Sequence, residues 1–234
     1  MRAHDLPKHL LVAASQPGSA VEGLAGACLR HYPPGSTIFE PGDRDSSILF
    51  INTGWAICGR ILPNGTRIVT DFALRGDLVS TTSSALAQET IQALSAVSLY
   101  VFPGRLLGPG SDISPQFARI ITMELIKRLA RLSERIANIG RRDGLERTAH
   151  LLLELGVRAT EGAAGGFDGF VCPLKQSDIG DAVGLSTVHV NRVLKDMRTN
   201  GLVSFRNGIV EFLDRRKLSD LVGFDPGYLA VHVD

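Results

Sequence analysis

Cysteine is scarce in this chain. Only Cys28, Cys58 and Cys172 occur in 234 residues, and no two form a CxxC pair. A zinc or iron–sulfur site built within the chain is therefore not expected. The odd count, with no secretory leader in view, points to a reducing cytoplasm. MRAHDLPKHLLVAAS is too short in apolar residues for a signal peptide and is interrupted by Pro7 and Lys8. No apolar run reaches the length of a membrane span. Histidine is missing between His31 and His150. That gap removes the ligand cluster a metal-binding β-roll enzyme would need. GxSxG, HExxH and P-loop sequences are all absent. The absences argue against catalysis, and the chain is read as a non-enzyme.

What is present suggests two kinds of folded material, and 234 residues suffice for one large or two smaller domains. Residues 1 to about 30 read as weakly amphipathic helix, broken at Gln16-Pro17-Gly18. From 31 to about 104 the character changes. Short apolar or alternating runs (STIFE, SSILFI, WAICGRIL, RIVTDFAL, VSLYVF) are separated by turn residues. The turn glycines Gly42, Gly54, Gly65 and Gly76 recur every 11 or 12 residues. Short strands at that interval predict an antiparallel sandwich or barrel-like roll, with a hairpin at Asn64-Gly65.

From about Ser114 to Asn138 the period becomes helical. Leu125, Leu129, Leu132, Ile136 and Ile139 are spaced 4, 3, 4 and 3, an a/d seam. Ile120, Met123, Ile126 and Ala130 form a second apolar stripe, while Arg119, Lys127, Arg128, Arg131, Glu134 and Arg135 lie mostly off the seam. Two apolar stripes need two partners. One is expected to pack on the roll and the other on a twin helix, giving a homodimer; burial within one subunit is the competing reading. Asn138-Ile139-Gly140 reads as a helix end or hinge. A helix over Gly144 to Arg158 and a flexible loop, ATEGAAGGFDG, follow.

The segment QSDIGDAVGLSTVHVNRVLK, Gln176 to Lys195, carries the functional signal. Apolar residues at Ile179, Val183, Leu185, Val190, Val193 and Leu194, with Gly180 and Gly184 between, fit a helix-turn-helix. Ser177 is expected to cap the first helix and Ser186 the second. Helix 186–199 would bury Val190, Val193, Leu194 and Met197. It would turn Val188, Arg192 and Lys195 outward, flanked by Thr187, His189 and Asn191. Arg192 can bond bidentately to guanine, Asn191 can reach a base edge or phosphate, and Val188 and Thr187 can touch a thymine methyl. Lys175, Ser177, Lys195 and the backbone at Asn207 suit phosphate contacts; His189 reads as a flanking or phosphate-contacting residue. From Pro173 to Lys217 eight basic residues face five acidic ones, a modest bias that suits the same partner, double-stranded DNA. LVSFR and IVEFL around Asn207-Gly208 predict a hairpin wing, and DRRKLSDLVG a last short helix. The tail from Phe224 has no clear assignment.

The order of roll, seam helix and winged helix-turn-helix, together with IFEPGD, the Arg75-Gly76-Asp77 turn and LSTVHVNRVLKDMRTNGLV, resembles the Crp/Fnr family of bacterial transcription regulators over roughly residues 24 to 217. The resemblance implies an α+β fold in three parts. These are a jelly-roll-like antiparallel β-roll sensor domain of cyclic-nucleotide-binding type over 1–112, a dimerisation helix and hinge over 113–140, and a winged helix-turn-helix domain over 141–234. It also implies a homodimer reading a two-fold symmetric site and RNA polymerase as a partner, with no membrane. The departures are equally informative. Cyclic-AMP-binding relatives place an Arg-Ser or Arg-Thr pair after their acidic residue. Asp77 is followed by no Lys or Arg before Arg105, and semi-buried phosphate needs a cation or a dense nest of N–H groups. No cyclic-AMP response is expected. Oxygen-sensing relatives carry an N-terminal cysteine cluster where this chain has only Cys28, so no iron–sulfur centre is expected either. His31 and Cys58 stay open as haem ligands. Cys172 reads as a buried structural cysteine. Many relatives also have glutamate where Val188 stands, so the preferred half-site should differ from theirs. The alternative is a β-roll module that binds a cyclic nucleotide or other small ligand and acts on a protein partner.

Overall fold

Residues 27–43, 47–80, 89–108, 110, 113–160 and 168–230 are described by the structure, a computed structural model. Eleven strands and five α-helices occur among them. The described residues divide into two compact units, one comprising 27–60 and Phe72–Arg128, the other Ile61–Asp71 and 129–230.

Two four-stranded antiparallel sheets follow, their strands lying in the first unit except β5 (Arg67–Ala73), most of which belongs to the second. One is ordered β1 (Cys28–Tyr32), β8 (Val97–Pro103), β3 (Ser47–Thr53), β6 (Leu78–Ser80). The other is ordered β2 (Thr37–Phe39), β7 (Thr90–Ala93), β4 (Ala56–Ile61), β5 (Arg67–Ala73). The two most continuous apolar runs, β3 and β8, are paired in the middle of their sheet. Successive side chains on a strand point to opposite faces, and here both faces are covered. Leu49, Ile51, Leu99 and Val101 enter the core of the roll. Ile48, Phe50, Tyr100 and Phe102 enter a second core with Phe117 and Ile121. Those two residues lie on the long helix α1 (Pro115–Arg141). Phe102 and Phe117 meet with ring centroids 5.0 Å apart. Burial on both faces is why these strands read as unbroken apolar runs rather than as alternation.

Several expectations need correction. The helix predicted over residues 1 to about 30 lies outside the described residues as far as 26, and its last residues, from Cys28, are strand β1. That strand is exposed along most of its length, so its sequence carries no periodic signal. Helix α1 runs through Gly140 to Arg141 instead of stopping near Asn138. The break comes from the next helix, α2 (Gly144–Thr160). Asp143 Oδ1 accepts from the amides of Leu145 and Glu146, each at 2.9 Å, and Glu146 Oε2 accepts from the amide of Asp143 at 2.8 Å. This reciprocal capping box starts a new helix regardless of the glycine. The loop predicted after α2 falls mostly on residues 161–167, outside the described set.

The face that α1 buries is also not the predicted stripe of Ile120, Met123, Ile126 and Ala130. Phe117, Ile121, Glu124, Arg128, Arg131, Arg135 and Asn138 are the buried positions, again 4 and 3 apart. Ionic groups tolerate burial when paired. Glu124 accepts from Lys127 at 2.9 Å and Arg128 donates to Glu89 at 2.6 Å. Arg131 donates to Asp71 at 2.8 Å, and Arg135 lies 3.4 Å from Glu154. The seam predicted beside this face is left uncovered toward its C-terminal end. Leu129, Ile136 and Ile139 are 67%, 74% and 41% exposed. Leu132 is half-buried, and Leu125 packs partly against the second core.

In the second unit, α2 packs against α3 (Gln176–Val183), α4 (Thr187–Thr199) and α5 (Arg215–Val222). A three-stranded antiparallel sheet, β10 (Val203–Arg206), β11 (Ile209–Phe212), β9 (Gly169–Val171), completes it. The tail forms a 3-10 turn, Pro226–Leu229. Tyr228 stacks at 6.2 Å on buried His150 and donates to Glu154 Oε2 at 2.9 Å; Phe224 meets the same imidazole edge-on at 5.1 Å. Burial and the nearby Arg142 lower the pKa of His150, against the opposing pull of Glu134 and Glu154. The folded state therefore binds that proton less readily than the unfolded chain. This stabilisation is complete above about pH 6.5 and is lost as pH falls below it toward the lower folded value. A His150→Asn variant is expected to lose less melting temperature than the unaltered protein between pH 7.5 and 5.5; equal losses in both would remove His150 as the cause.

Candidate nucleic-acid interface

Two short helices and the turn between them form the centre of the candidate site. Helix α3 ends at Gly184, whose φ of 69° is left-handed, and the Leu185 amide returns to the Gly180 carbonyl at 2.9 Å. Only glycine fits at 180, because a Cβ there would lie 2.5 Å from the Leu185 carbonyl oxygen. Ser186 caps α4, its hydroxyl accepting from the His189 amide at 3.2 Å. Val190, Val193, Leu194 and Met197 are buried, as their spacing predicts. Thr187, Val188, Asn191, Arg192 and Lys195 are exposed on α4, with Val188 82% exposed. An apolar residue so exposed at the start of a helix is not there for the core.

The other predicted residues fall in different places. Lys175 is exposed just before α3. Ser177 is not the cap of α3, since the helix already begins at Gln176. Asp178 does that work, its Oδ2 accepting from the Lys175 amide at 2.8 Å. Ser186 is committed to its cap. His189 is half-buried and turned toward the start of α2, where a Cβ at Gly144 would meet its Nε2 at 3.0 Å. Asn207, at φ 51°, and Gly208, at 73°, form the tight turn of the β10–β11 wing. Two left-handed residues in succession match the right-handed twist of a hairpin. Cys172 is fully buried, and burial pushes its thiol up to about 12, so it holds no ready thiolate. Cys58 is fully buried in the core of the roll and His31 is exposed on β1.

Sequence reasoning missed two features. Asn191 Nδ2 donates to Gln176 Oε1 at 3.2 Å, joining the two helices through side chains. Arg67, on the β4–β5 hairpin, donates through Nη2 to Asp178 Oδ1 at 2.5 Å and through Nε to Asp181 Oδ2 at 2.6 Å. Burial opposes the charge of Arg67, but the two carboxylates outweigh it and its pKa is raised. Neither link has a local signal, because the partners lie 15 and more than 100 residues apart. Asp178 serves both the cap and the ion pair, with its side chain 6% exposed. An Asp178→Ala variant is expected to lose about 2–3 kcal/mol, less than a fully buried pair because Arg67 is partly solvated. The melting temperature should fall by roughly 4–12 °C. A change below a degree by calorimetry would show that neither bond matters to stability.

Comparison with known proteins places this architecture. The model of the cyclic nucleotide-binding domain matches residues 29–107, and that of the Crp-like helix-turn-helix domain matches residues 146–221. The nitrogen fixation regulation protein FixK of Bradyrhizobium diazoefficiens is 28% identical, over 82% of this chain and 80% of its own length. The transcriptional activator protein FnrA of Stutzerimonas stutzeri is 28% identical, over 83% and 80%. Among solved structures, FixK2 from Bradyrhizobium japonicum superposes with a TM-score of 0.70 at 22% identity, covering 83% of this chain and 96% of that one. A CRP-family regulator from Thermus thermophilus gives 0.69 at 19%, covering 83% and 97%. The chain belongs to the Crp/Fnr family of transcription regulators, with its α+β fold and DNA-binding helix-turn-helix. No described helix is long and apolar enough to cross a membrane.

Proposed function

We propose that the chain acts in the cytoplasm as a homodimer that reads a two-fold symmetric DNA site through α4 and takes part in transcription with RNA polymerase, catalysing nothing itself. One observation carries this reading. The helix that follows the turn is capped, anchored by four buried apolar residues, and exposes Thr187, Val188, Asn191, Arg192 and Lys195 on its opposite side. In a helix-turn-helix the N-terminal part of that helix approaches base edges. Arg192 reads guanine and Val188 a thymine methyl. Lys175, Lys195 and the wing at Asn207 hold phosphates and set the register. The exposed stripe of Leu129, Ile136 and Ile139 pairs with its copy on a second chain, placing the half-sites about one helical turn apart. In this division of labour, residues 1–112 sense, 113–140 dimerise and 141–234 bind DNA.

The sensor roll does not answer to cyclic AMP. No Lys or Arg lies between Arg75 and Arg105, and the carboxylate of Glu89 is already paired with Arg128. Calorimetry with cyclic AMP at micromolar concentration is expected to show no saturable heat; a clear isotherm would overturn this. For DNA, sites selected from a random pool should be palindromic, and affinity for them should fall steeply with salt. Affinity indifferent to both salt and sequence would sink the proposal.

A further inference from the structure

The amide pair between α3 and α4 lies beside the residues proposed to read DNA, and it has a chemical sense. Gln176 is the first residue of α3 and half-buried; Asn191 is exposed on α4, three residues after Val188 and next to Arg192. The position of Gln176 is itself fixed. The Asp178 carboxylate caps the helix at Lys175 and is gripped by Arg67. The turn to α4 is closed by the bond between Leu185 and Gly180.

An asparagine amide has one acceptor oxygen and two donor hydrogens on nitrogen. Left free it can rotate and present either group to a base edge. Here one Nδ2 hydrogen is directed to Gln176 Oε1 at 3.2 Å. The bond selects one rotational sense of the amide. The second hydrogen and Oδ1 remain as an adjacent donor and acceptor. In the major groove, adenine offers N7 as acceptor beside the N6 amino donor. Guanine offers two acceptors, N7 and O6, so Oδ1 would face O6 oxygen to oxygen. We propose that Gln176 is a positioning residue that holds the Asn191 amide in the sense that reads adenine and rejects guanine at one base of each half-site. This rests on the reading of α4 as the DNA-contacting helix.

The test compares the unaltered protein with Asn191→Ala, Gln176→Leu and Gln176→Glu. Each is titrated on duplexes derived from the selected site, with every adenine in the half-site changed to guanine in turn. In the unaltered protein one such change should cost about tenfold or more in affinity. N191A should bring that ratio near one. Q176L should lower it at the same base while leaving discrimination at the guanine read by Arg192. Q176E keeps an acceptor for the Asn191 amide. It should restore the ratio although the added negative charge weakens binding to all duplexes.

A Q176L ratio equal to that of the unaltered protein would overturn the proposal. So would an equal loss at every base, which would mean that α4 had moved, or failure of Q176E to restore the ratio. A second measurement needs no DNA. Q176L should move the Asn191 side-chain amide resonances of the full-length protein, and unmoved resonances would also overturn the pairing. If the unaltered protein selects no sequence at all, the DNA-reading function falls, and this inference with it. Specific binding combined with an indifferent Q176L defeats the inference alone.

Discussion

Aspartate at both Leu129 and Ile136 is expected to halve the molar mass in light scattering and to reduce DNA binding to the non-specific range, roughly 10⁻⁴–10⁻⁶ M. Both side chains are mostly exposed in a single chain, at 67% and 74%. Each therefore contributes little to the stability of that chain, and surface substitutions of this kind usually cost no more than about 0.5 kcal/mol. In a seam between two helices the same positions meet their own copies, and aspartate there would bury like charges without partners. The variant should keep the circular dichroism of a folded protein while losing its partner. A monomer engages only one half-site, which is why affinity should fall with mass. An unchanged mass would show that these residues are not the interface, whatever happens to DNA binding.

Arg192→Ala is the second large effect. A bidentate contact from arginine to guanine is worth about 1–3 kcal/mol against the wrong base. Two symmetric half-sites double this, so affinity for the selected site should fall by roughly 10²–10⁴-fold. Binding to unrelated DNA should lose far less, since only one charge per chain is removed. Arg192→Lys separates the two contributions. Lysine keeps the charge but not the planar fork. It should preserve non-specific binding and lose most of the guanine preference. If Arg192→Ala weakened both kinds of DNA equally, the residue would be a phosphate contact and not a reader.

Helix α4 was legible in the sequence because its signals are local. Ser186, the buried set from Val190 to Met197 and the exposed set from Thr187 to Lys195 all lie within one helix. The roll was legible from its turn glycines and its apolar strands, but β1, β6, β7 and β9 were not. They have three to five residues each, and β1 is exposed along most of its length, leaving little pattern to detect. The cap of α3 was misplaced by two residues: Lys175, not Ser177, is the N-cap, and both Ser177 and Asp178 can accept an amide bond. Only the register of the helix decides that the bond from Lys175 goes to Asp178. Gln176 with Asn191, and Arg67 with Asp178, depend on tertiary placement that no periodicity encodes.

The buried face of α1 has one further meaning. A helix held only by leucines can slide by a turn and still bury leucines. This one places Arg131 on Asp71 and Arg135 beside Glu154, four residues apart. Sliding by one turn, about four residues, would set Glu124 in place of Arg128 opposite Glu89 or, in the other sense, Leu132 opposite Glu89 and Ile139 opposite Glu154. The helix thus works as a keyed shaft, its axial position set by charge as well as by the packing of Phe117 and Ile121. Arg158 lies 3.7 Å from Asp71 and 3.2 Å from Glu154 and ties the two pairs into one cluster, so lineages that carry this chain should vary its members together or keep them.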